Sequence, residues 1–304
     1  VFPLFFGLIL GDVGYGLILL AMCLGLRKYM KGEEGTRLLT VLRNASFSSI
    51  LFGLLYSEFL GFALPWKPIM FSRHLNIGAH STGHGPQIPE LMILAIWIGL
   101  VHITLGRILG MINHARQDHG DHRIKAVMAN FGWICVMWGI LMIIWSIVQM
   151  PYMPDFTTLP KVVSSVNIAA VVGAVMLIAG VIFIARDSGL ELVELPTIIS
   201  HVLSYARIVA VGLSSVAIAM VVNYIAIGML ISPQLENITI IGVLFIILGV
   251  AVFLIGHALN TALGILGGGL HSIRLHYVEF FTKFYKGGGK KYSPFGLNRR
   301  FTED

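Results

Sequence analysis

The sequence predicts an all-α polytopic membrane protein of seven to eight transmembrane helices, the last two long and strongly tilted. Three observations carry this. Apolar residues make up 56% of the 304-residue chain and charged residues only 12%, with mean hydropathy +0.84, whereas a soluble domain has about 25% charged residues. The apolar residues gather into long runs near 2–27, 37–63, 90–115, 124–149, 162–186, 190–231 and 237–285. The sixth run, about 42 residues, would extend roughly 63 Å as a helix, twice the hydrocarbon thickness, so an upright crossing does not fit it.

In chain order, the first run contains GDVGYG at 11–16. Its glycines permit either a tight reversal into two short arms or one continuous helix with Asp12 buried. The runs from 37 to 186 are each near the ~20 residues that cross the hydrocarbon. Turn-rich connectors part them: Pro65 to Pro89, QDHGDHR after Arg116, and MPYMPDFTTLP at 150–160. The opening VFPLFF, with no initiator Met and no basic stretch ahead of an apolar core, reads as the start of a piece of a longer polypeptide.

Lys and Arg set the orientation. Arg27, Lys28, Lys31, Arg37 and Arg43 surround the first connector, Arg116, Arg123 and Lys125 the third, and Lys283, Lys286, Lys290, Lys291, Arg299 and Arg300 the tail. The second connector has only Lys67 and Arg73, and the 150–161 connector only Lys161. Basic residues favour the cytoplasmic side, which puts the first and third connectors and the C-terminus there. An unbroken first run would then leave Val1 outside, whereas a reversal at GDVGYG would not.

Arg207 and Arg274 sit inside apolar runs. A guanidinium stays charged, and at the bilayer centre it costs roughly 2.5–3.5 kcal/mol on insertion scales, so it needs a partner, water or a task. At helical spacing, Ser200, Ser204, Arg207, Val211 and Ser214 form one stripe; His257, Asn260, Gly264, Gly267, His271, Arg274 and Val278 form another. Small residues alone would signify helix packing. An Arg centred in each stripe points instead to a functional surface presenting a fixed positive charge, with snorkelling or structural pairing to a neighbouring carboxylate as the alternatives. Glu194, His201, His271 and Glu279 are candidates for a proton path, because burial and neighbouring charge bring carboxylates and imidazoles into the neutral range. Asp12, Glu58, His102 and Arg107 are further intramembrane ionisable groups, with structural pairing of Asp12 or Glu58 to Arg107 an equal alternative. His201 bonded only to a backbone carbonyl, and Glu279 and His276 simply solvated near a membrane face, are the plainer alternatives there.

The sequence also excludes functions. No phosphate-binding glycine loop occurs, so the chain does not hydrolyse nucleotide by itself. His74, His80 and His84 lack metal spacing, and Cys23 and Cys135 lie in separate apolar runs as buried thiols. No metal, cofactor or nucleic-acid partner is expected.

The blocks FPLFFGLILGDVGYGLIL, HVLSYARIVAVGLSSVAIAMVVN and LHSIRLHYVEFFTKFYKGGGKKYSPF resemble the membrane half of the large stator subunit (subunit a, or subunit I) of V-type and archaeal A-type rotary ATPases, on the prokaryotic side of that family. The resemblance implies an ion-translocating subunit, non-catalytic for ATP, with two offset half-channels beside a turning proteolipid ring. It implies a bundle at 1–187, a rotor-facing unit at 188–288 and a cytoplasmic tail at 289–304. The family's paired arginines fall on Arg207 and Arg274, its glutamate before SYxR on Glu194, and the polar residue one turn before the second arginine on His271. Where some members have an acidic residue ten positions before that arginine, this chain has Gly264. The external half-channel is then expected to use Glu58, Asp12 or His102, and the cytoplasmic side Glu194, His201 and Glu279. The implied partners are a c/K-type proteolipid ring, peripheral-stalk and central-stalk (d-type) subunits, the chain's own cytoplasmic N-terminal domain and membrane lipid. The implied location is a prokaryotic plasma membrane. The alternatives are a secondary ion-coupled transporter with its own substrate site, which should show inverted halves, and a structural anchor.

Overall fold

The first apolar run breaks in two. The computed structural model describes residues 1–30, 32–74, 87–117, 119–149, 155–163, 166–187, 189–236, 239–285, 287–289 and 292. Helix α1 (Phe2–Leu10) stops at Gly11, whose left-handed φ of 33° suits glycine, and α2 (Val13–Leu26) starts again after Asp12. Both arms lie on α3 (Glu33–Tyr56). Gly7 abuts Ser48 and Gly11 faces the Tyr56 ring, so α1 climbs α3 in parallel. Val13 abuts Gly53, and Gly16 rests on Ile50 and Ser46, so α2 descends. The reversal left open by the sequence is therefore the one the chain adopts.

Such a tip exposes backbone that the membrane cannot satisfy, so side chains must. Asp12 Oδ1 accepts the N–H groups of Tyr15 and Leu60, both at 3.0 Å, and Oδ2 accepts that of Gly61 at 3.3 Å. Leu60 and Gly61 form the turn between β1 (Glu58–Phe59) and β2 (Phe62–Ala63), an antiparallel pair. Arg73 covers the other half of the tip. Its Nη1 donates to the Ile9 carbonyl at 3.2 Å and its Nη2 to that of Gly11 at 2.6 Å, a cation on the negative end of α1. The same guanidinium is paired with Glu58 (Nη2–Oε2 2.5 Å, Nε–Oε1 3.3 Å) and lies 4.0 Å over the Tyr56 ring. Both members of that pair are almost wholly buried.

Helices α4 (Ile88–Gln117), α5 (Gly120–Ile147) and α6 (Ile168–Asp187) form the next group. Between α5 and α6, Gly132 faces Gly180 and Gly139 faces Gly173; a Cβ on any of the four would come within 2.6–2.8 Å of the facing glycine's carbonyl oxygen. Small residues thus set the close approach, as expected without a hydrophobic drive between helices. A short β3 (Lys161–Val163) and β4 (Val166–Asn167) pair precedes α6.

The last two runs are long, as predicted. After a 3₁₀ segment at Gly189–Glu194 come α7 (Leu195–Leu203), α8 (Ala206–Asn223), a π-helical segment at Tyr224–Ile231 and α9 (Ser232–Glu236). Then α10 (Ile240–Arg274) leads into a second π-helical segment, Leu275–Phe280, and a 3₁₀ turn at Phe281–Lys283. The apolar stretches Glu191–Leu235 and Ile240–Lys283 hold 45 and 44 residues, about 66 Å each at 1.5 Å per residue. Among the described residues six helices are long and apolar enough to cross a membrane, and α1 and α2 add two short arms where one or two further spans were expected. One buried core joins Phe5 and Ile9 of α1, Leu100 of α4, Trp133 of α5, Ile208 of α8 and Leu275. The outer face of α10 stays bare: Leu244, Leu248, Leu259, Leu263, Leu266 and Leu270 are exposed. Lys286, Lys290, Lys291, the tail from 293 and His80 and His84 lie outside the described residues.

Removing one half of the Arg73–Glu58 pair should strand the other. Arg73→Met is expected to cost about 3–5 kcal/mol, and adding Glu58→Gln should restore part of the loss. Thermal unfolding in detergent measures both; equal melting of the single and double variants would contradict the pairing.

Candidate functional site

The two intramembrane arginines meet at one carboxylate. A turn at Ser204 and Tyr205, both with right-handed helical dihedrals, joins α7 to α8 and sets Arg207 in the first turn of α8 with Ser204 just before it. Arg207 Nη2 donates to Ser204 Oγ, and Ser204 Oγ donates to Glu279 Oε1 at 2.6 Å. Arg274 Nε lies 3.9 Å from the same Glu279 oxygen. Glu279 is 2% exposed and the Arg274 side chain 59%. Glu279 is therefore inside the protein, where the sequence left solvation at a membrane face open.

The second π segment explains how Glu279 reaches this place. In an α-helix, residue i+5 is about 140° around from residue i at 100° per residue. The wider i→i+5 turn of a π-helix brings it back beneath residue i. Arg274 immediately precedes the π segment and Glu279 lies within it. A reading at 3.6 residues per turn separates the two; the expanded turn pairs them.

Charge at the site does not balance. Among the described residues, the two guanidiniums share one internal carboxylate, leaving a net positive charge. Arg207 Nη1 and Glu279 Oε2 are buried with no hydrogen-bond partner. Native buried polar atoms are overwhelmingly paired, so both await water or a partner's group. Arg274 opens onto the same outer face of α10 as the exposed Leu266 and Leu270. His271, one turn before Arg274, is half-buried.

Glu194 and His201 are brought together. With Arg107, Trp133 and Lys283 they line a small cavity of about 20 Å³, room for about one water. Arg107 does not pair with Asp12 or Glu58, the alternative the sequence left open. It donates to Asn130 Oδ1 at 3.3 Å and sits 4.7 Å over the Trp133 ring, whose Nε1–H donates to Glu191 Oε2 at 3.1 Å.

His102 falls nearer the arginines than to Asp12 and Glu58. Its Nδ1 is 2.7 Å from the Tyr205 hydroxyl, and its ring stacks on Phe280 at 4.1 Å and, farther off, on His276 at 6.3 Å. His102 Nε2 and His276 Nδ1 are buried and unpartnered. Asp12 and Glu58 are instead occupied at the hairpin tip, Asp12 by three backbone N–H groups and Glu58 by Arg73. Sequence reasoning missed Arg73, which carries no signal of burial: it stands in a turn-rich connector outside every periodic run. Among the described residues no group of His, Cys, Asp and Glu could hold a metal ion, and Cys23 and Cys135 are free and buried.

The V-type ATPase 116 kDa subunit family matches residues 195–297, which contain both arginines. Over its whole length the chain is 35% identical to the A-type ATP synthase subunit I of Archaeoglobus fulgidus and 30% identical to that of Halobacterium salinarum, covering 49% and 47% of those proteins. It is 26% identical to the V-type ATP synthase subunit I of Borreliella burgdorferi over 97% of the chain and 47% of that protein. The chain thus spans about half the length of the curated relatives it matches.

Ser204 holds the shared carboxylate to Arg207. Ser204→Ala should leave a buried acceptor short of a donor and lower stability by about 1–3 kcal/mol, read as a lower melting temperature in detergent. Unchanged melting would mean that the bridge carries no weight.

Proposed function

The chain belongs to the V-type ATPase 116 kDa subunit family (subunit I of the A- and V-type ATP synthases), and on that premise we propose that it is the membrane stator of a rotary ATPase, moving protons through two offset half-paths beside a turning ring of proteolipid subunits. The observation that carries this reading is the uncompensated charge: two guanidiniums, one internal carboxylate, and Arg274 open to the apolar outer face of α10.

A rotor carboxylate travelling through lipid must be neutral, since an isolated charge there is too costly. Arriving at Arg207 and Arg274, it finds the excess cation and ionises, a nearby opposite charge lowering a carboxyl pKa by about 1–3 units. Its proton leaves along one half-path, and another protonates the site before it re-enters lipid. The permanent cations also keep the half-paths from joining, because a proton on a wire is repelled there. The potential supplies about 2.3 kcal/mol per charge per 100 mV.

One half-path is assigned to the end of α10 where Glu279, Glu194 and His201 lie, with the free His102 Nε2 and His276 Nδ1 extending it; His271 flanks the arginines. This end is placed in the cytoplasm with the basic C-terminus. The second half-path is assigned to the hairpin end, near Asp12 and Glu58. Residues 188–288 form the rotor-facing unit, the rest of the chain the bundle that backs it, in a prokaryotic plasma membrane. The stalk subunits and the chain's own cytoplasmic domain would complete the stator.

In the assembled complex reconstituted into vesicles, Arg207→Ala should reduce ATP-driven proton uptake at least about 100-fold, the order expected when an electrostatic group is removed from its site, while the complex stays intact. Arg274→Ala should reduce uptake less, its guanidinium being the more solvated. Normal pumping by Arg207→Ala would overturn the proposal.

A further inference from the structure

Far from the arginines, α10 is held by a directional hydrogen-bond chain that the rotary reading does not use. His257 Nε2 is 2.8 Å from Asn223 Oδ1, and His257 Nδ1 is 2.7 Å from the Tyr15 hydroxyl. Asn260 Nδ2 donates to that hydroxyl at 2.8 Å and to the Ser215 carbonyl at 2.9 Å, and Asn223 Nδ2 donates to the Leu60 carbonyl at 2.8 Å. Tyr15, Ser215, Asn223, His257 and Asn260 are all more than nine-tenths buried.

The polarity of this chain is determined. The two backbone carbonyls accept from the amide nitrogens, which fixes both amides. Asn223 therefore turns its oxygen to the imidazole, so His257 carries its hydrogen on Nε2. Nδ1 is then the acceptor of the Tyr15 hydroxyl, and the Tyr15 oxygen is the acceptor of Asn260. A neutral ring in this tautomer gives every donor an acceptor, whereas a doubly protonated ring would leave the buried Tyr15 O–H without one among the described residues. Asp12 and Tyr15 of the hairpin are the other ionisable groups facing it.

Among the described residues, nothing else along α10 supplies such direction. Its inner seam is glycine: Gly249 rests on Ile231 and Ala226, Gly256 on Val222, Gly264 on Leu10 and Gly268 on Phe6. Its outer face is bare leucine. A smooth seam resists sliding and rotation weakly, and a slip of one residue turns the helix by 100° and shifts it by 1.5 Å. Helix α10 runs unbroken from Asn260 to Arg274, so a rotation set at one end appears at the other. The hydrogen-bond chain ties α10 at once to the α2 arm, the end of α8 and the β1–β2 turn.

We propose that His257, with Tyr15, Asn223 and Asn260, is a positioning residue that fixes the rotation and axial register of α10, so that Arg274 faces the rotor. This rests on the rotary reading above.

The test uses the full-length chain in its assembled complex, with pumping measured per ATP hydrolysed. An Ile273→Cys substitution, exposed beside Arg274, reports the helix face by its rate of thiol alkylation. His257→Leu should lower pumping per ATP about 10- to 100-fold, the scale of a misplacement near 1 Å, and change alkylation at position 273. His257→Gln offers an amide donor to Asn223 and an acceptor to Tyr15 without a basic nitrogen, and should restore both readouts. Should His257→Leu fail to assemble, Tyr15→Phe, nearly isosteric, should reproduce both defects. Loss of pumping in both His257 variants with unchanged alkylation would make His257 a proton carrier and overturn the proposal, as would normal coupling in His257→Leu or Tyr15→Phe. Normal pumping by Arg207→Ala in the same preparation would overturn the rotary reading instead, while alkylation at position 273 would still report on the clamp.

Discussion

Two guanidiniums that share a single carboxylate are the constraint around which this protein is arranged. Neither arginine can lose its proton, and hydrocarbon solvates neither. Glu279 neutralises one of them, approached directly by Arg274 and through Ser204 by Arg207. Among the described residues no second carboxylate closes on the pair, so a positive charge is left at the site. Had a second internal carboxylate closed on the pair, the outer face of α10 would be an ordinary lipid-facing surface.

Supporting that arrangement is a break in the first apolar run. Because α1 turns back at Gly11, its side chains join the buried core with residues of α4, α5 and α8 and with Leu275. A re-entrant tip is stable only if its free backbone groups are satisfied. Asp12 and Arg73 do this from opposite sides, Asp12 accepting N–H groups and Arg73 donating to the carbonyls that end α1. Asp12, Glu58 and Arg73, the buried ionisable groups at this end, thus have a structural task before any role in a proton path.

Most of the architecture was legible because membrane helices obey simple length and polarity rules. The long final runs follow from length and hydropathy. Three features do not. The direction of the first run depended on whether GDVGYG bends, and Gly11, Gly14 and Gly16 permit both outcomes. Arg73 has no periodic context, so its burial follows only from folding. Glu279 lies five residues from Arg274, a spacing that excludes contact in an α-helix and allows it in a π-helix. His257 and Asn260 stand in one helical stripe, but the residues they bond, Tyr15 and Asn223, are far away in sequence and share no pattern with them.

The central claim is that the bare face of α10 beside Arg274 meets a moving acidic partner. Disulfide trapping in the assembled complex tests it most directly, pairing Leu270→Cys on α10 with a cysteine placed next to the rotor carboxylate. Val175→Cys, on the exposed face of α6, serves as the comparison. The account predicts a cross-link at position 270 and none at 175. A cross-link at 175 with none at 270 would place the rotor against a different helix and leave the arginines facing lipid.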